Sequence, residues 1–141
     1  MIRIGWKKYE QDARKLARRI PVKPNIIVAI SRGGLVVGCL LSHILNKPLA
    51  VVAVQSYKGK KRGKCSMGSF SSAIPLAGTI LLVDDLVDSG KSMAEVKKCL
   101  LRLPKVKRVL SAVLYGKLTS AFNPDYYVKM MTGWVQFPYE K

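Results

Sequence analysis

Apolar residues follow two kinds of pattern along this chain. Largely continuous apolar runs at 25–30, 49–55 and 79–83, each bounded by Pro, Gly or polar residues, are typical of strands buried on both faces. Apolar positions recur at helical spacing across 9–20, across 35–45 and after Met93. Further strands are predicted at 108–114 and 126–128. This alternation predicts an α/β fold, with a mostly parallel twisted sheet and helices on both faces.

The most distinctive polar stretch follows the apolar run at 79–83. Asp84, Asp85 and Asp88 come at the expected carboxyl end of that strand, and 88–92 form a polar turn before the next helix. Open α/β sheets bind ligands where such turns leave the carboxyl ends of strands. We therefore expect the active site at this strand-to-helix turn.

The residue types of that turn favour a sugar phosphate. Hydroxyls, a small residue and free amides at a helix N-terminus suit a phosphate, and four consecutive residues supply them: Ser89, Gly90, Lys91 and Ser92. Three nearby carboxylates would repel a bare phosphate. The conflict is removed if the ligand also presents hydroxyl groups or a divalent metal ion to Asp84 and Asp85.

Two other interpretations of this stretch explain less. Gly90-Lys91-Ser92 matches the end of a nucleotide-binding P-loop, but that motif needs a glycine five residues before Gly90, where this chain has Asp85. Helix capping accounts for one aspartate and leaves the other two without a reason.

A second polar turn, Ser31-Arg32-Gly33-Gly34, separates the strand at 25–30 from the helix at 35–45. Its glycines let backbone amides approach a ligand, and the guanidinium group of Arg32 offers a fork of donors for phosphate. A Gly-Gly turn is equally common where a strand and a helix simply pack closely. By itself, the turn does not decide between these uses.

Length and composition predict one globular domain spanning 1–141, of which 49% is hydrophobic. No apolar run reaches the ~18 residues of a membrane span, and the N-terminus lacks the apolar segment of a signal peptide. We therefore expect a cytoplasmic protein without a membrane span. Its widely spaced Cys39, Cys65 and Cys99 are expected to be reduced thiols.

The net charge of +17 arises from 25 basic and 8 acidic residues. Such a balance attracts polyanions, so nucleic acid has to be considered beside a phosphorylated metabolite. Most cations are spread over predicted helix faces, and only 58–64 is densely basic, within a Gly-, Ser- and Lys-rich loop at 56–72. On charge alone, that loop is equally consistent with a disordered surface segment.

The run from Val83 to Ser92 resembles the phosphoribosyl pyrophosphate signature of the type I phosphoribosyltransferases, with Ser89 where threonine is commoner. The resemblance implies that Asp84 and Asp85 hold the ribose hydroxyls and that the turn at 89–92 binds the 5′-phosphate. It also implies that Asp88 accepts a proton from the incoming base.

Longer segments resemble the bacterial and archaeal xanthine-guanine phosphoribosyltransferases. The resemblance of 29–38 implies that Ser31, Arg32, Gly33 and Gly34 form a pyrophosphate loop with a cis Ser31–Arg32 peptide bond. The segment 56–72, by its place in the chain and its start at Ser56 and Tyr57, resembles the family's mobile catalytic loop. Lys117 is implied to contact the purine O6. The segment from about 126 to 141 is implied to cover the base, with Trp134 over the ring and the backbone of Val135 at the C2 edge.

We therefore expect transfer of 5-phosphoribose from phosphoribosyl pyrophosphate to N9 of guanine, xanthine or hypoxanthine. The expected cofactor is Mg²⁺, with Asp84 and Asp85 as its ligands, and the expected assembly is a homo-oligomer, either a dimer or a tetramer. Two alternatives remain open. One is a regulator with the same fold that binds nucleic acid, and the other is an enzyme for another acceptor, such as adenine or a pyrimidine.

Overall fold

The computed structural model describes residues 1–54 and 67–140. That part contains the helices α1 (Trp6–Arg18), α2 (Gly34–Leu45) and α3 (Lys91–Leu101), and none of them is long and apolar enough to cross a lipid bilayer. The strands, in chain order, are β1 (Ile2–Arg3), β2 (Ile26–Ser31), β3 (Leu49–Val54), β4 (Met67–Ser71), β5 (Gly78–Val87), β6 (Val106–Lys117), β7 (Tyr126–Met131) and β8 (Val135–Gln136).

Six strands form the main sheet, in the order β4-β3-β2-β5-β6-β7. All neighbouring pairs in it are parallel except β3 and β4, which are antiparallel. The short strands β1 and β8 pair in parallel with each other and join the first residues of the chain to its C-terminal segment. The predicted α/β fold with a mostly parallel sheet is confirmed.

The side chains of β5 show how both faces of the sheet are covered. Leu81 and Val83 point into the core beneath α1 and α2, whereas Ile80 and Leu82 point into the core beneath α3. All four are fully buried, because successive side chains of a strand point to opposite faces and both faces carry helices. Burial on two sides explains why the sequence run is apolar without alternation.

The path of the chain across the sheet reverses between β2 and β5. From β2 the chain passes through α2 to β3 on one side, and from β5 it passes through α3 to β6 on the other. Since parallel crossovers share one hand, helices that cross in opposite directions lie on opposite faces, as α2 and α3 do. The carboxyl ends of β2 and β5 therefore flank a switch point, where open α/β sheets bind ligands.

The central strand is longer than its apolar run predicts. We expected it to end at residue 83, with the acids beyond it, but β5 continues to Val87. The extension pairs with β6, which places Asp84 beside Val113. Asp84 and Asp85 are thus fixed by the sheet and not by a turn, because the neighbouring strand continues alongside them.

Two edge strands flank the sheet. Residues 67–71, within the loop expected at 56–72, form β4, and the strand predicted at 126–128 is confirmed and continues to Met131 as β7. Composition did not indicate β4, which pairing with β3 orders, and β7 is extended by pairing with β6. Residues 55–66 lie outside the described residues, so the motion expected of this loop stays a prediction.

The cysteines differ in their states. Cys39 on α2 is an exposed free thiol, as expected. Cys99 is buried on α3 and disulfide-bonded, so the expectation of a reduced thiol is wrong there. Cysteine spacing in a sequence does not show which sulfur atoms come together in the fold. Cys65 lies outside the described residues.

Candidate active site

The loop at 31–34 leaves β2 and packs directly against β5. Its Ser31–Arg32 peptide bond is cis, as the family resemblance implied. A β-carbon built on Gly34 would lie 2.5 Å from the carbonyl oxygen of Val83 in β5, closer than β-carbons approach other atoms. Glycine is therefore what allows the loop and the strand to approach each other this closely.

The carboxyl groups of Asp84 and Asp85 converge on this loop from β5. A β-carbon on Gly33 would lie 2.5 Å from Oδ1 of Asp85 and 2.8 Å from Oδ1 of Asp84. The backbone amide of Asp85 donates to Oδ1 of Asp84 over 2.9 Å, and the hydroxyl of Tyr139 donates to Oδ2 of Asp85. The acid pair is thus held by its own backbone, by the loop and by the C-terminal segment.

The two acids line different cavities. Asp84 lines a pocket of about 130 Å³ together with residues 86–93, whereas Asp85 lines a cavity of about 810 Å³ together with Arg32 and Trp134. This division follows from the strand, in which adjacent side chains point to opposite faces. The sequence predicted both acids at one ligand, and in the structure they line two different cavities while both stay beside Gly33.

Burial changes the proton affinity of the acid pair. It raises the pKa of Asp84 well above its usual range, and the charge of Asp85 adds to this effect. Burial also raises the pKa of Asp85, with the Tyr139 hydroxyl acting in the opposite direction as a donor. The phenol pKa of Tyr139 is raised by burial and then by the charge of Asp85. Positive charge or hydroxyl donors placed beside these carboxyl groups would favour their ionised forms.

The smaller pocket lies where β5 passes into α3. Gly90, the residue before the helix, has a φ of +87° and packs so closely against Phe122 that no β-carbon fits. The backbone amide of Lys91 donates to the hydroxyl oxygen of Ser89 over 3.3 Å. The first amides of a helix lack partners inside the helix, and the helix dipole favours an anion there. A phosphate group therefore suits the residues predicted to bind it.

The residues predicted to act on the base lie together at the end of β6. Nζ of Lys117 is 3.4 Å from Oδ1 of Asp88 and 5.7 Å from the centre of the Trp134 ring. The side chain of Lys117 is 15% exposed, that of Asp88 is 66% exposed, and Trp134 is 62% exposed. The side chain of Val135, which follows Trp134 in β8, is buried. A lysine ammonium group is thus flanked by a carboxylate and an indole that are both open to a ligand.

The acid pair offers a suitable donor set for Mg²⁺. No group of three His, Cys, Asp or Glu able to hold a metal ion occurs within residues 1–54 and 67–140. Mg²⁺ needs only one or two protein carboxylates when substrate phosphates supply further oxygens. Asp84 and Asp85 provide two carboxyl groups whose raised pKa values make a neighbouring cation favourable.

Sequence reasoning missed two residues that contact the site. Tyr139 donates to Asp85, and Phe122 packs against Gly90. A signal existed for Tyr139, because it is a polar aromatic residue within a segment already assigned to the base. Phe122 follows β6 in an irregular connection, and its sequence surroundings carry no comparable signal.

Comparisons with known proteins agree with this geometry. A phosphoribosyl transferase domain matches residues 5–140. The xanthine-guanine phosphoribosyltransferase of Idiomarina loihiensis is 33% identical over an alignment of 143 residues, covering 97% of this chain and 85% of that protein. The crystal structure of a purine phosphoribosyltransferase from Pyrococcus horikoshii has a TM-score of 0.82 and 31% identity, covering 99% of this chain and 93% of that one. The chain therefore belongs to the type I phosphoribosyltransferase family.

Proposed function

We propose that this protein transfers 5-phosphoribose from phosphoribosyl pyrophosphate to N9 of a 6-oxopurine, releasing pyrophosphate. The main support is the meeting of Lys117, Asp88 and Trp134 beside the pocket at the start of α3. An ammonium donor, an exposed carboxylate and a stacking ring are the groups that a 6-oxopurine with an acidic N–H requires. The names of the relatives from Idiomarina loihiensis and Pyrococcus horikoshii support a purine acceptor.

We assign the 5′-phosphate to the smaller pocket, where the amides at the start of α3 and the Ser89 and Ser92 side chains can bind its oxygens. The ribose hydroxyls then reach the carboxyl groups of Asp84 and Asp85, which accept hydrogen bonds from them. This arrangement would hold the sugar with C1′ between the two cavities.

We assign the pyrophosphate to the larger cavity, which is lined by Arg32 and Gly33 of the 31–34 loop. When the bond between C1′ and the pyrophosphate oxygen breaks, its electron pair leaves with pyrophosphate, and the guanidinium group of Arg32 stabilises that charge. The ribose gains oxocarbenium character at the same time. The carboxylates of Asp84 and Asp85 offset this positive charge.

At the base, the bond between C1′ and N9 forms as the N9 proton passes to the carboxylate of Asp88. Lys117 donates a hydrogen bond to O6, and Trp134 stacks on the ring. Asp88 is well placed to accept this proton, because its side chain is exposed and lies 3.4 Å from the Lys117 ammonium group, which would donate to O6 of the same base.

The proposal includes three further properties. Asp84 and Asp85 would hold Mg²⁺, which would supply positive charge to neutralise the leaving pyrophosphate. The protein acts in the cytoplasm. It forms a homo-oligomer, a dimer or a tetramer, which the largely apolar α2 with its exposed Leu35 and Ile44 supports.

An acceptor panel tests the proposed reaction. Purified protein is incubated with Mg²⁺, phosphoribosyl pyrophosphate and one base at a time: guanine, xanthine, hypoxanthine, adenine, uracil or orotate. Nucleotide and pyrophosphate should form in equal amounts with the 6-oxopurines. A product with only a pyrimidine would redirect the assignment to another acceptor, and no product with any base would favour the regulator.

A further inference from the structure

Tyr139, in the C-terminal segment, has a ring that packs against other aromatic rings. Tyr139 stacks on Phe137, with ring centres 5.6 Å apart and planes 10° apart. It also contacts Tyr9 at 5.8 Å and Trp6 at 6.1 Å between ring centres. These ring contacts hold the Tyr139 side chain in addition to the hydrogen bonds that its hydroxyl group makes.

The hydroxyl of Tyr139 joins three separate parts of the fold. It donates to Oδ2 of Asp85 in β5 and lies 3.4 Å from the carbonyl oxygen of Gly33 in the 31–34 loop. A phenol has one proton to donate, and the carboxylate is the stronger acceptor, so Asp85 receives it. The C-terminal segment, the acid pair and the loop thereby meet at one oxygen atom.

Asp85 depends on this donor because it is buried. The residue is only 9% exposed, and a β-carbon on Gly33 would lie 2.5 Å from its other carboxyl oxygen. Removing a donor from a buried carboxylate leaves it unsatisfied, and the side chain turns or draws in water instead.

We propose that Tyr139 is a positioning residue for the phosphoribosyl pyrophosphate half of the site, acting through Asp85 and the 31–34 loop. The inference rests on the proposed function, which assigns Asp85 and this loop to that substrate. The C-terminal segment then serves both substrates. Trp134 covers the base, and Tyr139, five residues later, holds the groups that bind the sugar and its pyrophosphate.

The variant Tyr139→Phe tests this inference, since it keeps the ring and removes only the hydroxyl. The dissociation constant of phosphoribosyl pyrophosphate, measured by calorimetry with Mg²⁺ and without a base, should rise by about 10- to 100-fold, as expected for a lost hydrogen bond to a charged group. The KM for this substrate should rise in parallel. The KM for guanine and the unfolding temperature should change little.

Tyr127→Phe is the matched control, because it removes a phenol hydroxyl from an exposed residue of β7 without touching the site. Its binding and kinetics should equal those of the native protein. A Tyr139→Phe protein that binds phosphoribosyl pyrophosphate normally would overturn the inference. A parallel loss of thermal stability and of affinity for both substrates would also overturn it, because it would indicate a structural role alone.

The Tyr139→Phe test and the test of the proposed reaction can fail independently. If the native protein binds phosphoribosyl pyrophosphate but forms no purine nucleotide, the proposed reaction fails, and the binding data on Tyr139→Phe still decide the inference. If the native protein does not bind phosphoribosyl pyrophosphate at all, both are overturned.

Discussion

Among the three acids of the central motif, Asp88 alone is exposed, and its one ion-pair partner in the described structure is Lys117. A structural role would require buried contacts that Asp88 does not make, so its removal should affect the chemistry and not the fold. We expect Asp88→Ala to lower kcat by roughly two to four orders of magnitude while phosphoribosyl pyrophosphate still binds.

Steady-state kinetics combined with equilibrium binding test this expectation. Glu10→Ala is a suitable control, because it removes an exposed carboxylate whose one ion-pair partner among the described residues is Arg14 on α1. Equal turnover by the native protein and by Asp88→Ala would remove Asp88 from the mechanism.

Burial of the Asp84 carboxyl group affects the stability of the folded protein. Burial raises its folded-state pKa above the unfolded value, so the folded protein binds this proton more tightly. The stability of the ligand-free protein should therefore increase as pH falls from the raised folded-state pKa towards the usual carboxyl range. At neutral pH the buried, ionised form is unfavourable.

Asp84→Asn should accordingly raise the unfolding temperature at neutral pH by a few degrees, since Asn keeps the oxygen that accepts from the Asp85 amide. The difference should shrink as the pH is lowered, and phosphoribosyl pyrophosphate binding should be lost. Thermal unfolding without metal or substrate provides the measurement. An Asn variant less stable than the native protein at pH 7 would contradict this explanation.

At the scale of elements, the approach of the 31–34 loop to β5 determines whether the site is assembled. A side chain at Gly34 would meet the Val83 carbonyl oxygen, and that oxygen belongs to a strand paired on both sides. Gly34→Ala should destabilise the protein by about 1–3 kcal/mol and weaken phosphoribosyl pyrophosphate binding.

Gly5→Ala is the matched comparison, because a β-carbon at Gly5 meets nothing within 4 Å. Chemical denaturation of both variants should show a clear loss only for Gly34→Ala. If the two variants proved equally stable, the close contact between loop and strand would not be a structural requirement.

The sequence predicts elements well where burial alone defines them. The apolar runs locate β2, β3 and the first half of β5, and the helical spacing locates α1 and α2. It predicts poorly where a partner strand decides the outcome. The second half of β5, the edge strand β4 and the pairing of β1 with β8 depend on distant neighbours, which no local pattern records.

The same distinction holds for the candidate site. The positions of Ser31 and Lys117 follow from the topology, because each is the last residue of a strand in a parallel sheet, whereas Asp84 lies three residues before the end of β5. The contact between Tyr139 and Asp85 could not be predicted, since it depends on how several aromatic rings pack at the end of the chain. Division of the acid pair between two cavities also required the strand geometry.

At the scale of the whole molecule, the charge of +17 needs an explanation beyond the site. Lys8 on α1 pairs with Asp12 over 2.9 Å, and Arg19, just after that helix, donates to the carbonyl oxygen of Tyr127. Residues 91–108 carry seven basic residues and one acidic residue, and most of these cations are exposed. Such a surface attracts phosphate backbones without specificity.

We therefore expect nucleic acid to bind weakly and only at low ionic strength. Filter binding of duplex RNA and DNA should show clear retention near ~50 mM salt and little near ~200 mM, because counterion release supplies the affinity. Phosphoribosyl transfer should continue at both concentrations. Tight, sequence-dependent retention at the higher salt concentration would favour the regulator.

We expect Lys117 to select a 6-oxopurine as the acceptor base. Lysine only donates hydrogen bonds, so it satisfies O6 of guanine but meets the amino group of adenine donor to donor, whereas Trp134 stacks on any purine. A site built in this way can reject the wrong base by up to ~10⁴-fold. Trp134→Ala serves as the control, and it should weaken guanine and adenine alike.

The most direct measurement is the ratio of kcat/KM for guanine to that for adenine, in the native protein and in Lys117→Ala. We expect this ratio to be several orders of magnitude for the native protein. In Lys117→Ala the ratio should fall sharply, because activity on guanine is lost while the trace activity on adenine is little changed. A native protein that uses adenine as readily as guanine would contradict the assignment of a 6-oxopurine acceptor.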